Sequence, residues 1–246
     1  VNDRVGFREL SVDLYSNYYE TNQLLDMQKT AIIGRDNWLF YNAESDDIKN
    51  FQGITNISND KLDIFYSHIE RLKKFCDENN IKFYLLMPPN KSSVYFEYYP
   101  KYIGRLDKPF NYEIILNYFK NKDVNFPLFY EDYLKEKNKE YLYYKGDTHW
   151  TSVGAYIAYY RLGQMIKKDF PNFKLIEKDD IKYDSKTRKS GDLVIMQRIS
   201  NFEEQVNEIV IKSPYNIETT MDKDETDKFF YTKSENNNGL KVMVFG

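Results

Sequence analysis

The strongest constraint on the fold is a nearly continuous apolar run, 81–87, that ends at a Pro-Pro pair. A strand that is covered on both faces within a parallel sheet has this composition. A second strand candidate, 124–130, follows, and apolar residues at helical spacing occupy 60–79, 114–119 and 153–168. Helices and strands that alternate in this way are typical of an α/β fold. The order of elements therefore predicts a parallel α/β sheet.

Other patterns predict the elements around this sheet. A helical pattern covers 6–28, and 38–41 has the composition of a short strand that follows a turn. The stretch 167–240 is charged and has little periodicity, so we interpret it as inserted loops and short strands, with 209–211 as one strand candidate. The final residues, 241–246, have the composition of a buried strand that ends on a glycine.

Composition and charge exclude several classes of function. A hydrophobic fraction of 41% with 30% charged residues is ordinary for a globular protein. The net charge of −3, with basic and acidic residues interspersed, leaves no basic surface for DNA or RNA, so we expect no nucleic-acid partner. The sequence has no Walker-type loop and no Gly-rich dinucleotide fingerprint, so no nucleotide cofactor is expected. Two histidines and one cysteine are too few for an ordinary zinc site, and we expect no metal.

The compartment stays open. No apolar run approaches the roughly 18 residues that span a bilayer. The chain opens on Val1 rather than Met, as a chain trimmed of an upstream signal or anchor would.

The stretch that carries chemistry is 143–155, which holds one of the two histidines. Asp147 lies two residues before His149, and a helix-start signal follows, with Thr151 or Ser152 as the cap. Side chains at i and i+2 of an extended segment point to one side, so Asp147 can accept from Nδ1 of His149 and leave Nε2 free for a hydroxyl. Such a pair is the supporting half of a Ser-His-Asp device for acyl transfer. The alternative is that Asp147 helps to cap the next helix and His149 is a packed or exposed aromatic residue.

A second polar segment, 90–95, follows the predicted strand 81–87. It is expected at the same edge of the sheet as Asp147 and His149. Functional groups of parallel α/β sheets gather beyond the carboxyl ends of the strands. The amide, ammonium and hydroxyl groups of this segment can bind a substrate, although an ordinary loop after a strand has a similar composition. Together with a residue beside the dyad, the candidate substrate-binding residues are Asn90, Lys91, Tyr95 and Trp150.

Five segments, in order, resemble those of one family. They are 2–8 ("N-D-x-x-x-F-R"), 34–40 ("G-x-D-x-W-L-F"), 88–100 ("P-x-K-x-x-x-Y…P"), 147–154 (Asp-x-His-Trp with Gly154) and 190–193 ("G-D-L"). Together they are similar to the SGNH-hydrolase-like O-acetyltransferases of the alginate acetylation type, which also occur in the acetylation of cellulose and other exopolysaccharides. The resemblance spans nearly the whole chain.

The resemblance implies one circularly permuted, SGNH-hydrolase-like parallel-sheet domain over 1–246. In this order, 81–89 and 124–130 are the last two strands of the sheet, and 241–246 is the central nucleophile strand. The family pattern requires Asp-Ser after Gly246. We therefore expect the nucleophile serine just beyond this residue, a domain that is incomplete at its C-terminal end, and a chain that is inactive by itself.

The implied function is O-acetylation of an exopolysaccharide through an acetyl-serine intermediate. His149 is then the general base, first toward the serine and then toward the sugar hydroxyl, and Asp147 holds its tautomer. The resemblance also implies an extracytoplasmic protein, membrane-anchored or at the cell surface. A membrane-embedded O-acyltransferase is the implied partner, and no metal is required.

Two alternatives come from other classes. A noncatalytic carbohydrate-binding or scaffold module of a polysaccharide export complex would use the abundant aromatic residues and the loop 90–95. An acetyl-ester hydrolase would use the same triad, with water instead of a sugar attacking the acyl-enzyme. Sugar binding that is unaffected by changes at Asp147 or His149 would favour the module.

Overall fold

The structure is a computed structural model, and it describes residues 30–42, 46–212, 217–222, 229–234 and 241–244. The predicted helix 6–28, the family-like segment 2–8 and the final pair Phe245-Gly246 lie outside these ranges.

Helices dominate the described part of the chain. They are α1 (Asp46–Gln52), α2 (Asn59–Glu78), α3 (Lys91–Val94), α4 (Asn111–Phe119), α5 (Tyr130–Glu136), α6 (Ser152–Asp169) and α7 (Asp192–Met196). Short 3₁₀ turns occupy Arg35–Asn37, Phe96–Tyr98 and Lys178–Asp180. The strands are β1 (Ala31–Ile33), β2 (Leu39–Tyr41), β3 (Ile181–Arg188), β4 (Glu204–Ile211), β5 (Ile217–Asp222) and β6 (Phe229–Ser234).

The two long helices form where the sequence predicts them, over 60–79 and 153–168. Each begins after a hydroxyl residue, Ser58 for α2 and Thr151 for α6, whose side chain accepts a hydrogen bond from an amide of the first turn. This contact satisfies one of the backbone donors that a helix start leaves without a partner. Of the two predicted caps of α6, Thr151 and Ser152, the structure has Thr151.

The strands of the described residues pair in three antiparallel two-stranded sheets: β1 with β2, β3 with β4, and β5 with β6. The β3–β4 ribbon is the longest, and its register places Arg188 opposite Glu204. The stretch 167–240, interpreted from the sequence as an insertion of loops and short strands, thus contains this ribbon together with α7 and the β5–β6 hairpin.

The parallel sheet predicted from 81–87 and 124–130 is not present in the described residues. The first run makes one isolated parallel bridge, between Tyr84 and Asn125, and the Leu85 amide donates to the Asn125 carbonyl at 2.9 Å. Side chains 83–87 are half-buried rather than covered on both faces. One bridge does not make a continuous ladder of hydrogen bonds, so 81–87 is not a strand of a sheet. The second run, 124–130, ends where α5 begins.

The predicted buried strand 241–246 is also wrong over its described part. Residues 241–244 have no regular structure, and Val242, Met243 and Val244 are 73%, 78% and 87% exposed. No strand of the described residues pairs with this segment. The apolar side chains of this segment are therefore not packed against the described residues.

The described residues form two hydrophobic clusters. The larger one is rich in aromatic residues, and in it Trp38 stacks on Tyr95 with 4.1 Å between ring centroids. The smaller one joins β1 and β2 to α7 and includes Leu193, Val194 and Phe202. Among the described helices, none has the length and apolar composition needed to cross a membrane.

Candidate active site

The predicted Asp-His segment lies in a short loop, 144–149, between the two hydrophobic clusters. The base of the loop is closed by an antiparallel bridge between Tyr143 and Trp150 and by the Thr151 amide, which donates to the Leu142 carbonyl at 2.9 Å. Leu142 and Tyr143 are buried in the larger cluster, so the base of the loop is rigid.

Asp147 and His149 form the predicted pair. Nδ1 of His149 lies 2.7 Å from Oδ1 of Asp147, and the His149 amide donates to the same oxygen at 3.0 Å. The carboxylate side chain is 13% exposed, whereas the imidazole is 75% exposed. An ionised carboxylate only accepts hydrogen bonds, so Nδ1 carries the proton and Nε2 keeps its lone pair toward solvent.

The environment keeps Asp147 ionised. Burial opposes the charge, but hydrogen bonds from the ring and the amide of His149 outweigh it and lower the pKa of the Asp147 carboxyl. The Asp192 amide acts in the same direction, with its nitrogen 3.4 Å from Oδ2 of Asp147. The pair therefore joins a largely enclosed carboxylate to an exposed imidazole ring, which is the geometry that a general base requires.

Asp192, at the start of α7, fixes the residue between the pair. Its Oδ1 accepts from the Thr148 amide at 2.8 Å, and its Oδ2 accepts from the Thr148 hydroxyl. Its Oδ2 also lies 3.8 Å from Nδ1 of His149. The Asp192 carboxylate therefore fixes the backbone of the loop at Thr148.

Two charged residues of the β3–β4 ribbon also reach the loop. Nη2 of Arg188 lies 3.2 Å from Oδ2 of Asp147. The Glu204 carboxylate is buried, and its Oε2 accepts from the Lys145 amide at 2.6 Å. Burial raises the pKa of the Glu204 carboxyl against the effect of this amide and of nearby Arg188 and Lys91.

Lys91 also supports the loop 144–149, through hydrogen bonds to two of its backbone carbonyls. Its ammonium donates to the carbonyl oxygens of Lys145 at 2.8 Å and of Asp147 at 3.0 Å, and it lies over the rings of Trp38 and Phe40. Lys91 is 7% exposed, and burial lowers its pKa to about 7. This placement does not fit the substrate contact predicted from the sequence, because the ammonium is enclosed by the protein and donates to its backbone.

Of the other three predicted substrate-binding residues, one is enclosed by the protein and two are accessible. Tyr95 is buried, and its hydroxyl accepts from the Leu142 amide at 2.9 Å, so it supports the base of the loop instead of facing a substrate. Asn90 is exposed before α3, and Trp150 is half-buried beside His149. These two residues have surface available to a ligand.

Two glycines let α7 approach the loop. A Cβ on Gly191 would lie 2.2 Å from the carbonyl oxygen of Gly146, and a Cβ on Gly146 would lie 2.6 Å from atoms of Phe202 and Val194. In return, the Val194 amide donates to the Gly146 carbonyl at 3.2 Å. The close backbone contact places Asp192 within reach of the loop.

A cation is a second chemical possibility for this cluster. Asp147, His149 and Asp192 could supply three ligand atoms that lie within 4.8 Å of one another. In this structure the same atoms accept or share hydrogen bonds with Thr148, Arg188 and each other. A bound cation would have to replace these contacts.

Sequence reasoning identified the dyad but did not select Arg188, Asp192 and Glu204. The segment 190–193 carried a signal, because it belongs to the family-like motifs. Arg188 and Glu204 had none, since they lie in a charged stretch without periodicity. Only the pairing of β3 with β4 brings them together.

One family model matches most of the chain. Residues 31–240 match the family model described as "SGNH hydrolase-like domain, acetyltransferase AlgX". A search of curated proteins finds no match. PatB1 of Bacillus cereus is similar in structure, with 21% identity and a TM-score of 0.52 over 84% of this chain and 66% of that one.

Two further solved structures are similar. PatB1 with a sulfonyl adduct has 21% identity and a TM-score of 0.50 over 82% of this chain and 61% of that one. The O-acetyltransferase domain of Pseudomonas putida AlgJ has 17% identity and a TM-score of 0.49 over 74% of this chain and 65% of that one. The chain thus spans less than two thirds of the length of each of these structures.

Proposed function

The chain belongs to the AlgX family of SGNH hydrolase-like acetyltransferase domains, and on this premise we propose that it carries the base half of a polysaccharide O-acetyltransferase. The observation that supports the proposal best is the hydrogen-bonded pair of Asp147 and His149, with 2.7 Å between Oδ1 and Nδ1 and an exposed ring. A fixed tautomer with a free Nε2 is what acyl transfer to and from a hydroxyl needs.

Transfer would proceed in two halves. In the first, Nε2 of His149 takes the proton of a serine hydroxyl while the serine oxygen attacks the acetyl carbonyl, and the protonated ring then returns the proton to the leaving group. In the second, Nε2 takes the proton of a sugar hydroxyl while the sugar oxygen attacks the acetyl-serine, and the protonated ring then gives this proton to the serine oxygen as the bond between acetyl and serine breaks. The carboxylate of Asp147 stabilises the imidazolium in both halves.

The remaining parts of the reaction belong to the same proposal. Of the described residues, no serine donates a hydrogen bond to His149, and the order of the family-like motifs assigns the nucleophile to a serine after Gly246. Asn90 and Trp150 are the proposed substrate-facing residues. The acetyl group would come from a membrane-embedded O-acyltransferase, and the protein would act outside the cytoplasm.

Activity of the gene product that includes the sequence after Gly246 tests the proposal. We expect transfer of acetyl groups from a chromogenic acetate ester to oligosaccharides, with loss on the order of 10⁶-fold in rate for His149→Ala, because this residue acts in both halves. The matched control is His68→Ala, which removes the exposed histidine of α2 and should leave the rate unchanged.

Three outcomes would contradict the proposal. Retention of the rate in His149→Ala would remove the assigned base. A protein that binds oligosaccharides without turning over the ester, with binding unaffected by His149→Ala, would instead be a carbohydrate-binding module. Ester turnover without any acetylated acceptor would identify a hydrolase.

A further inference from the structure

We propose that Arg188 is a positioning residue that holds Asp147 in the orientation from which it selects the tautomer of His149. The two oxygens of Asp147 have separate partners. Oδ1 receives both hydrogen bonds from His149, and Oδ2 faces Nη2 of Arg188 at 3.2 Å. The backbone amide of Asp192 approaches the same Oδ2 at 3.4 Å. An ion pair on one oxygen therefore leaves the other oriented toward the imidazole.

Arg188 is itself held on several sides. Its guanidinium lies 3.6 Å from the ring centroid of Tyr144, and Nη2 reaches the Ser190 carbonyl at 3.5 Å. Nε lies 4.0 Å from Oε1 of Glu204, an atom that has no hydrogen-bond partner among the described residues. Glu204 and Arg188 are also opposite each other in the β3–β4 register. The guanidinium of Arg188 is thus already stacked on a ring and paired at two edges. It therefore loses little further conformational entropy when it binds the Asp147 carboxylate.

The histidine needs this support because it has little of its own. Its side chain is 75% exposed, and its ring contacts within hydrogen-bond distance are Oδ1 of Asp147 and the Thr148 hydroxyl at 3.4 Å. The orientation of an exposed ring is thus set by one carboxylate. A chain of alternating charges, from Glu204 through Arg188 to Asp147, connects that ring to the rigid ribbon.

Nitrogen NMR of the chain's imidazole groups tests the positioning role without any assay of activity. The sequence has two histidines, so each spectrum contains two rings. In His68, Nδ1 faces Nη2 of Arg71, a donor, which places its proton on Nε2. His149 should show the opposite tautomer, with the proton on Nδ1, and the two rings thus provide both reference patterns in one molecule.

The variants are chosen to separate charge from packing. Arg188→Met removes the ion pair and keeps the length of the side chain, and we expect a large part of the His149 population to move to the Nε2–H tautomer. Arg188→Lys keeps the charge and should restore most of the Nδ1–H form. Lys186→Met, at an exposed position of the same strand, is the matched control and should change neither ring. If Arg188→Met does not fold, the His149 tautomer is measured in Arg188→Gln instead.

The catalytic consequence rests on the proposed function and is measured separately. In the active gene product, Arg188→Met should lower kcat about 10- to 100-fold with little change in KM, because the base is misoriented while the acceptor site is intact. An unchanged His149 tautomer in folded Arg188→Met or Arg188→Gln would overturn the inference. A shifted tautomer in a protein that has no transferase activity would leave the positioning role in place and contradict only the proposed function.

Discussion

At the scale of single residues, the buried ammonium of Lys91 has the clearest consequence for stability. Burial lowers its pKa to about 7, although three nearby carboxylates oppose the shift. A lysine in an unfolded chain titrates near pH 10.4, with a spread of about one unit in folded proteins. Between about pH 7 and 10, the unfolded chain therefore binds a proton that the folded chain does not, and the free energy of unfolding rises with pH across this window.

We expect this rise to disappear in Lys91→Met. The variant removes the Lys91 donor from the Asp147 carbonyl, and the Lys145 carbonyl keeps only the Leu39 amide, at a cost of about 1–3 kcal/mol. The difference in unfolding free energy between wild type and variant should grow from pH 7 to pH 9.5, as measured by urea unfolding at several pH values. Lys186→Met is the control for loss of an exposed lysine. A difference that is flat with pH would mean that Lys91 is protonated throughout the range in the folded chain.

At the scale of elements, the start of α6 determines where the loop 144–149 lies. Gly154, in its first turn, approaches the chain so closely that a Cβ there would lie 2.3 Å from the Leu142 carbonyl oxygen. That oxygen accepts the Thr151 amide, which closes the loop. The Tyr133 hydroxyl donates to the Gly154 carbonyl at 2.7 Å, so a shift of α6 away from Leu142 would break a buried hydrogen bond.

Gly154→Ala should therefore destabilise the fold by about 1–3 kcal/mol, because backbone must move to admit the methyl group. Gly104→Ala is the matched control, since nothing lies within 4 Å of a Cβ at that position, and it should change stability by less than about 1 kcal/mol. Urea unfolding of the two variants measures both. Equal stabilities would show that α6 can shift away from Leu142 at no cost.

At the scale of the whole molecule, the described residues form a helical body with antiparallel ribbons instead of the predicted parallel sheet. The segment 241–244 shows the difference most directly, because its apolar side chains are exposed. We expect Val244→Lys to change the unfolding free energy by less than about 0.5 kcal/mol, as for an ordinary surface position. The same substitution at Val206, which is 2% exposed on β4, places a charge in the core and should cost several kcal/mol or prevent folding.

Chemical denaturation of the two lysine variants, each compared with wild type, makes this measurement. If Val244→Lys were as harmful as Val206→Lys, residues 241–244 would be packed against the rest of the chain, and the buried strand predicted from the sequence would be correct.

The sequence by itself determined the local features of this protein. Apolar spacing and hydroxyl caps located α2 and α6, and the i, i+2 spacing brought Asp147 to Nδ1 of His149, because each depends on residues only a few positions apart. Only the tertiary structure decided what surrounds the pair. Lys91 is enclosed, and Arg188 and Glu204 reach the loop across at least 41 residues of sequence through the register of β3 with β4. Apolar composition could not decide strand pairing for 81–87 or 241–246, because a strand exists only where another strand satisfies its backbone.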